Sequence, residues 1–149
     1  MTCIARGLVR CERGTTMIET ALVLPLVLFV VVGTFEFGRA YQTWQVLTNA
    51  AREGARIAVL PGTTDAAVTT RVEDYLEAGQ LPEADAATVS VTRNNQISTG
   101  AATASASRVQ VTYPFEFIVL QPIANLVVPG STLGDPLPMT TAALMRNES

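Results

Sequence analysis

The sequence has no histidine and no lysine, so all ten of its basic residues are arginine. Without histidine, the commonest general base and the commonest metal ligand are missing. We also find no glycine-rich phosphate loop, no nucleophile elbow and no carboxylate pair typical of a catalytic site. The sequence therefore predicts that the chain is not an enzyme and that it holds no metal and no cofactor.

Cysteine is almost as scarce, and both cysteines, Cys3 and Cys11, lie near the N-terminus. Neither has a possible cysteine partner in the rest of the chain, which excludes a disulfide framework for a folded domain. Two cysteines without histidine also cannot complete a four-ligand zinc site within one chain.

Charge is missing from one long stretch, which runs from Thr20 to Phe35. Those residues would span about 24 Å as a helix, at ~1.5 Å per residue, and the hydrocarbon core of a bilayer needs ~30 Å. A helix that begins at Thr15 reaches about 31 Å by Phe35, which is enough to cross. We therefore predict one transmembrane segment at residues 15–35.

The remaining charge is divided unevenly along the chain. Residues 1–14 carry three arginines and one glutamate, a net charge of +2, whereas residues 15–149 carry seven arginines and twelve acids, a net charge of −5. A basic flank predicts that the N-terminus stays cytoplasmic and that the acidic remainder lies outside. Nucleic-acid binding is not expected, because basic residues are neither in excess nor clustered.

Glu19 is the one charged residue inside the predicted span. A carboxylate at mid-membrane costs about 2.5–3.5 kcal/mol, and less near an interface. An ionisable residue inside a membrane span is a candidate functional residue. To reduce the cost of its charge, we expect Glu19 to pair with a cation, reach water or become protonated. The sequence from Thr16 to Glu19 also fits a capping box, in which the glutamate bonds back to the N-cap amide, and the two interpretations are compatible.

Pro25 interrupts the apolar run. A proline inside a helix removes one backbone hydrogen bond, and membrane helices tolerate this loss better than soluble ones. We expect a helix kink at Pro25, which is either a passive bend or a segment that partly unwinds when helices pack.

The helix is predicted to continue past the membrane over residues 15–60, until Pro61 and Gly62 end it. Glu36 and Arg39 are spaced to form an ion pair, and Tyr41 and Trp44 fit either an aromatic belt or packing against a domain. Apolar and small residues then recur at helical spacing and predict a packed face: Val46, Leu47, Ala50, Ala51, Gly54, Ala55, Ile57 and Ala58.

Residues 61–149 predict a small α+β domain, so the predicted fold class is α+β. A short helix is expected after Thr64 or Asp65, with Ala78-Gly79 at its end and an acidic, solvated outer face. Alternating apolar residues then predict a strand that begins near Ala87, contains Val89 and Val91, and ends at Arg93-Asn94-Asn95. Two further strands are predicted at Val109–Phe117, with Pro114 at an edge or bulge, and at Met139–Met145. We expect loops at residues 98–107 and around Gly130, Gly134, Pro136 and Pro138, and a short helix or hydrophobic flap over Phe117–Val128.

The order of features at the start of the chain is characteristic. Arg13-Gly14 is followed by Glu19 as the fifth residue after the glycine, and then by the apolar helix ETALVLPLVLFVVVGTFEFGRAY and by NAAREGAR. This pattern resembles the type IV prepilin signature, and more specifically the TadE-like family of pseudopilins from tight-adherence (Flp) pilus systems. The resemblance is dense from Arg13 to about Ala58 and returns weakly at RVQVTYPFEF and PMTTAALMR.

This resemblance implies that residues 1–14 are a basic leader, that prepilin peptidase cuts after Gly14, and that Thr15 becomes the new N-terminus. Glu19 would then neutralise the free amino group of Thr15 on a neighbouring subunit; a free α-amino group has a pKa near 7.7–8 and is largely cationic at neutral pH. The implied partners are membrane lipid, other pilin or pseudopilin subunits, prepilin peptidase and the inner-membrane assembly platform. The implied role is a minor or tip/priming subunit in the bacterial inner membrane, or on the pilus after assembly.

Two alternatives remain open at this stage. The chain could be an uncleaved bitopic scaffold of a secretion or pilus apparatus, which cleavage would distinguish from a pseudopilin. It could also be a secreted soluble domain with an ordinary signal peptide, because a basic region precedes an apolar one. The candidate cut for that peptide is the poor site at Gly38-Arg39-Ala40, and the helical pattern that follows argues against it.

Overall fold

The computed structural model describes the backbone of residues 5–98, 100, 103–127 and 135–147, and the side chains of residues 14–98, 100, 103–123 and 135–147. The two long helices precede all three strands of an antiparallel sheet, which confirms the predicted α+β class. The elements are α1 (Ala5–Ala58), α2 (Asp65–Ala78), a short 3-10 helix (Ala84–Ala86), β1 (Thr88–Ser98), β2 (Thr103–Phe115), α3 (Leu120–Val127) and β3 (Leu137–Arg146).

Helix α1 is 54 residues long, about 81 Å at ~1.5 Å per residue. It begins within the predicted leader, so the capping box predicted at Thr16 is wrong for this chain: Thr16 lies in the helix interior, where its carbonyl accepts the Thr20 hydroxyl at 2.9 Å. The helix ends at Ala58, slightly before the predicted end at residue 60.

Pro25 lies inside α1, which is helical on both sides of it. The kink expected at Pro25 stays a prediction. Cys3 lies outside the described residues, and so do Gly130 and Gly134 of the predicted loop.

The C-terminal part of α1 forms one wall of the hydrophobic core, as its spacing of small and apolar residues predicts. Gly54 allows a close approach here, because a Cβ atom at this position would lie 2.6 Å from Cγ2 of Val72 and 3.2 Å from Cγ1 of Val109. Glycine therefore lets α1 pack directly against α2 and β2. The fully or almost fully buried residues of α1 in this core are Leu47, Ala50, Ala51, Ala55 and Ala58.

Helix α2 follows the predicted pattern at both ends. The Thr64 hydroxyl accepts a hydrogen bond from the Ala67 backbone nitrogen at 3.3 Å, which satisfies one of the free donors of the first turn. Gly79 is the C-cap residue. The buried face of the helix consists of Val68, Val72 and Leu76.

The sheet has the order β1-β2-β3, and both pairings are antiparallel. Strand β2 is central, and its Val109 lies opposite Val91 of β1 on one side and Ala143 of β3 on the other. The predicted apolar face of β2 is buried against the helices through Val109, Val111, Tyr113 and Phe115.

Two strands extend beyond their predicted ends. Strand β1 continues to Ser98 through an irregularity between Thr92 and Asn95, where Asn94 has a φ of 59°. The loop predicted at residues 98–107 is wrong from Thr103 onward, because that segment belongs to β2: residues 103–106 pair with β1, and Ala106 and Ser107 pair with β3. Small polar side chains carry no alternating signal, and here the pairing with neighbouring strands overrides their weak strand preference.

Prolines mark the end of the sheet that lies near α3. Strand β1 has its last partner on β2 at Thr112, so Pro114 is paired only with Pro138 of β3, which confirms the predicted edge position. The loop prediction at Pro138 is wrong, because β3 begins at Leu137; an edge strand tolerates proline since its outer side needs no donor. The segment with Pro122 forms the short helix α3, with the proline in its first turn.

Candidate membrane-insertion and assembly segment

Residues 14–31 of α1 are mostly apolar and have no other part of the protein packed around them. Every described side chain from Gly14 to Val31 is exposed, and Met17 and Leu22 are 75% and 74% exposed. Among the described residues this is the one helix long and apolar enough to cross a membrane, and none of its most apolar 18-residue window is buried. An apolar surface of this size calls for lipid or for other helices around it.

Gly14 and Glu19 lie near the start of this bare segment. A Cβ atom added at Gly14 would meet nothing within 4 Å, so the fold places no steric demand on a glycine there. Glu19 is exposed and lies with Thr16, Thr20, Val23 and Val27 in a shallow groove on one side of the helix. None of the ion pairs among the described side chains, a set that does not include Arg13, involves Glu19.

A second carboxylate, Glu36, follows at the other end of the apolar run and is fully buried. One of its oxygens, Oε1, accepts a hydrogen bond from the backbone nitrogen of Val119 at 2.6 Å. The other, Oε2, lies 3.1 Å from Nη1 of Arg39, which confirms the predicted pair. Both carboxylate oxygens therefore have partners, which offsets the cost of removing the charge from water.

Arg39 extends this contact to the end of the sheet. Its Nη1 donates to the carbonyl oxygen of Glu116 at 3.4 Å, and its guanidinium carbon lies 5.3 Å from the centroid of the Phe115 ring. Phe117 packs edge-on against Phe115, with 5.1 Å between the ring centroids. This cluster holds the segment that precedes α3 against α1, at the level where the apolar run ends.

Tyr113 lies beside the same cluster and donates its hydroxyl hydrogen to the carbonyl oxygen of Pro82. Burial raises the pKa of Tyr113 above its ordinary value of 10.0, and the negative charge of Glu83 adds to the rise. The neutral phenol is therefore the favoured form in the folded domain.

Two predicted features on the outside of the domain also have clear positions. Tyr41 and Trp44 are 66% and 43% exposed, so neither is buried in the domain, and an aromatic belt remains open to them. The acidic face of α2 with Glu73 and Glu77 contributes to no group of three or more possible metal ligands among the described side chains.

Sequence reasoning missed the part played by Arg93. Its side chain donates to the carbonyl oxygens of Ala58 and Thr63, at 2.9 and 2.8 Å, and to Asp65 at 2.7 Å. It thus satisfies the last carbonyl of α1 and fixes the turn to α2. An arginine after an alternating strand was the available signal, but no pattern in the sequence names its partners. Glu36 was predicted only as an ion-pair partner of Arg39, and its contact with a segment 83 residues away was also missed.

Residues 14–56 match a family model described as TadE-like protein. The match confirms the predicted resemblance over the bare apolar segment and most of the core-forming part of α1. No curated protein and no solved structure matches the chain. The match and the apolar N-terminal helix together fit a protein associated with a Tad pilus.

Proposed function

We propose that this TadE-like protein is a pseudopilin: a minor or tip/priming subunit that is inserted in the bacterial inner membrane, cut after Gly14 and assembled through α1. The observation that carries the proposal is the bare apolar face of residues 14–31, which starts at a small residue and contains one carboxylate, Glu19. Prepilin peptidase, other pilin subunits and the assembly platform are the proposed partners. The proposal has the N-terminus in the cytoplasm and the sheet outside, and the basic N-terminal flank supports this orientation.

In this proposal Glu19 acts during assembly, by pairing with a neighbouring subunit. After cleavage, the amino group of Thr15 lies about 6 Å along the helix axis from Glu19, in the same shallow layer. A neighbouring subunit displaced along its own axis can then bring its Thr15 amine to the Glu19 carboxylate. Pairing of the two charges in low dielectric offsets the desolvation cost of both.

The uncleaved scaffold remains the second candidate, because α1 runs without interruption through Gly14. A secreted domain agrees less well with the structure. A cut at residues 38–40 would remove Glu36 and with it the acceptor for the Val119 amide. The segment before α3 would then lose one of its main contacts with α1.

Glu19→Gln in the native organism tests the assembly role. We expect the variant to reach the membrane in normal amounts, and its level in sheared filaments to fall by about tenfold or more, equivalent to ~1.4 kcal/mol or more. Thr20→Val is the matched control, because Thr20 lies at the same depth and lines the same groove. Normal incorporation of the Glu19→Gln variant would remove Glu19 from this role.

A further inference from the structure

The sheet is oriented along α1 with one end toward the membrane span. At this end, the guanidinium of Arg39 lies over the Phe115 ring, and further along α1, Gly54 lies against Val109. Strand β2 therefore runs antiparallel to α1, and its C-terminal end points toward the apolar segment. The chain then continues to Val119, whose amide binds Glu36.

The position of Glu36 along α1 indicates where this end of the domain lies relative to the bilayer. Glu36 lies 21 residues after Thr15, about 32 Å along the helix, and the hydrocarbon core of a bilayer is ~30 Å thick. If Thr15 lies at one boundary of the core, Glu36 and the bound Val119 lie at the other. Helix α3 begins at the next residue, so it starts at the membrane surface.

The segment around α3 is apolar and exposed. Ile118 and Ile123 are 59% and 47% exposed, and Phe37 on the neighbouring part of α1 is 71% exposed. The sequence from Phe117 to Gly134 contains no charged residue, and this stretch is slightly longer than the charge-free part of the span, which runs from Thr20 to Phe35. The nearby Glu36 is paired, so contact of this segment with lipid would bury no lone charge.

We propose that residues 117–123 and the start of α3 form a second membrane contact, which lies at the boundary between lipid headgroups and acyl chains beside the point where α1 leaves the bilayer. This inference rests on the membrane span of the proposed function. The attraction is apolar, because the flanking charges Glu116 and Asp135 are negative and no arginine lies between them. The contact fixes the orientation of the domain relative to the membrane before assembly.

The test uses the full chain in vesicles of phosphatidylethanolamine and phosphatidylglycerol. In a Cys3→Ser, Cys11→Ser background, an environment-sensitive dye is attached at Ile123→Cys. A spin label near the carbonyl end of the acyl chain serves as the quencher. Val27→Cys, inside the span, is the positive control.

Leu144→Cys is the matched negative control. Leu144 is 49% exposed, close to the 47% of Ile123, and it lies opposite Arg108 of β2. Arg108 is seven residues before Phe115, about 23 Å along the strand and away from the membrane.

We expect the dye at residue 123 to be quenched by the lipid label and its emission to be blue-shifted relative to residue 144, with no dependence on salt. The same emission at residues 123 and 144, with quenching at residue 27, would overturn the second contact and leave the span intact. No quenching at residue 27 would overturn the span and this inference together. The protein can also be diluted until each vesicle holds only one chain. If the blue shift at residue 123 then vanishes, the surface contacts a second copy of the protein and not lipid, which also overturns the lipid contact.

Discussion

The Oε1 atom of Glu36 lies 2.6 Å from the backbone nitrogen of Val119, 83 residues further along the chain. This bond joins the end of the apolar run to the segment that leads into α3. The same carboxylate binds Arg39, which in turn contacts Phe115 and the carbonyl of Glu116. One buried acid therefore fixes the domain to the helix at the level where we expect α1 to leave the membrane.

Glu36→Ala should destabilise the domain by about 1–3 kcal/mol, because it leaves the partly buried Val119 amide without its acceptor. Glu36→Gln keeps an acceptor oxygen and should cost less. The measurement is the free energy of unfolding of the detergent-solubilised full chain, followed by near-ultraviolet circular dichroism.

Glu53→Ala is the control for the loss of a carboxylate. Glu53 is partly exposed and pairs with Arg71 at 3.0 Å and Arg56 at 3.9 Å, so its removal should cost less than about 1 kcal/mol. Equal losses of unfolding free energy in the Glu36→Ala and Glu53→Ala variants would show that the contact with Val119 stabilises the domain no more than the ion pairs of Glu53 do.

Gly54→Ala should also destabilise the domain, by a net ~1 kcal/mol. The added Cβ atom would lie 2.6 Å from Val72, whose branched side chain has few alternative rotamers. Overpacking of this kind costs about 1–3 kcal/mol, and the better helix propensity of alanine returns about 1 kcal/mol. Gly38→Ala, where nothing lies within 4 Å, should be neutral or stabilising in the same unfolding experiment. The packing account fails if both variants gain stability.

Tyr113 makes the domain sensitive to alkaline pH. Its pKa is raised in the folded state, so the neutral phenol contributes its full stability below pH ~10, and this stability is lost as the pH rises through the folded-state pKa. We expect the free energy of unfolding to fall as the pH rises above about 10, by up to ~1.4 kcal/mol per pH unit. The chain has no lysine to titrate in this range.

Tyr113→Phe should remove this alkaline loss and cost about 0.5–1.5 kcal/mol at neutral pH, because the hydrogen bond to Pro82 is lost. Tyr41→Phe, at an exposed position, is the control that should keep the loss. A pH dependence that persists unchanged in Tyr113→Phe would assign it to another group.

Periodicity was a reliable guide wherever side chains of one kind were repeated. The apolar run, the small residues from Leu47 to Ala58 and the buried face of β2 all followed from spacing, because burial of one face imposes that spacing on the sequence. The cap at Thr64 followed from local chemistry, which needs no knowledge of the rest of the fold.

The errors arose where a distant contact decides the structure. Residues 103–107 carry no apolar alternation, and they form a strand because residues 103–106 pair with β1 and the last two pair with β3. Pro138 enters β3 because that strand is an edge. Glu36 is buried because Val119 supplies a donor, and spacing along α1 shows only its pair with Arg39.

Gly14→Leu should block removal of the leader. We expect this because the resemblance implies a peptidase that accepts only a very small residue before the cut. The fold itself leaves room for a larger side chain there, so a change in processing would not reflect misfolding. Gly33→Leu, where a Cβ atom also meets nothing within 4 Å, is the matched control and should be processed normally. Mass spectrometry of both variants from native membranes gives the answer, and a mature mass for Gly14→Leu would rule out this site.

Intact mass and N-terminal sequence of the unmodified protein from its native membrane would show whether the chain is cut after Gly14. The proposed function predicts an N-terminus at Thr15 and a mass that lacks residues 1–14. Retention of those residues would contradict processing as a pseudopilin and favour an uncleaved scaffold. An N-terminus near Tyr41 would contradict both membrane-anchored functions and favour a secreted domain.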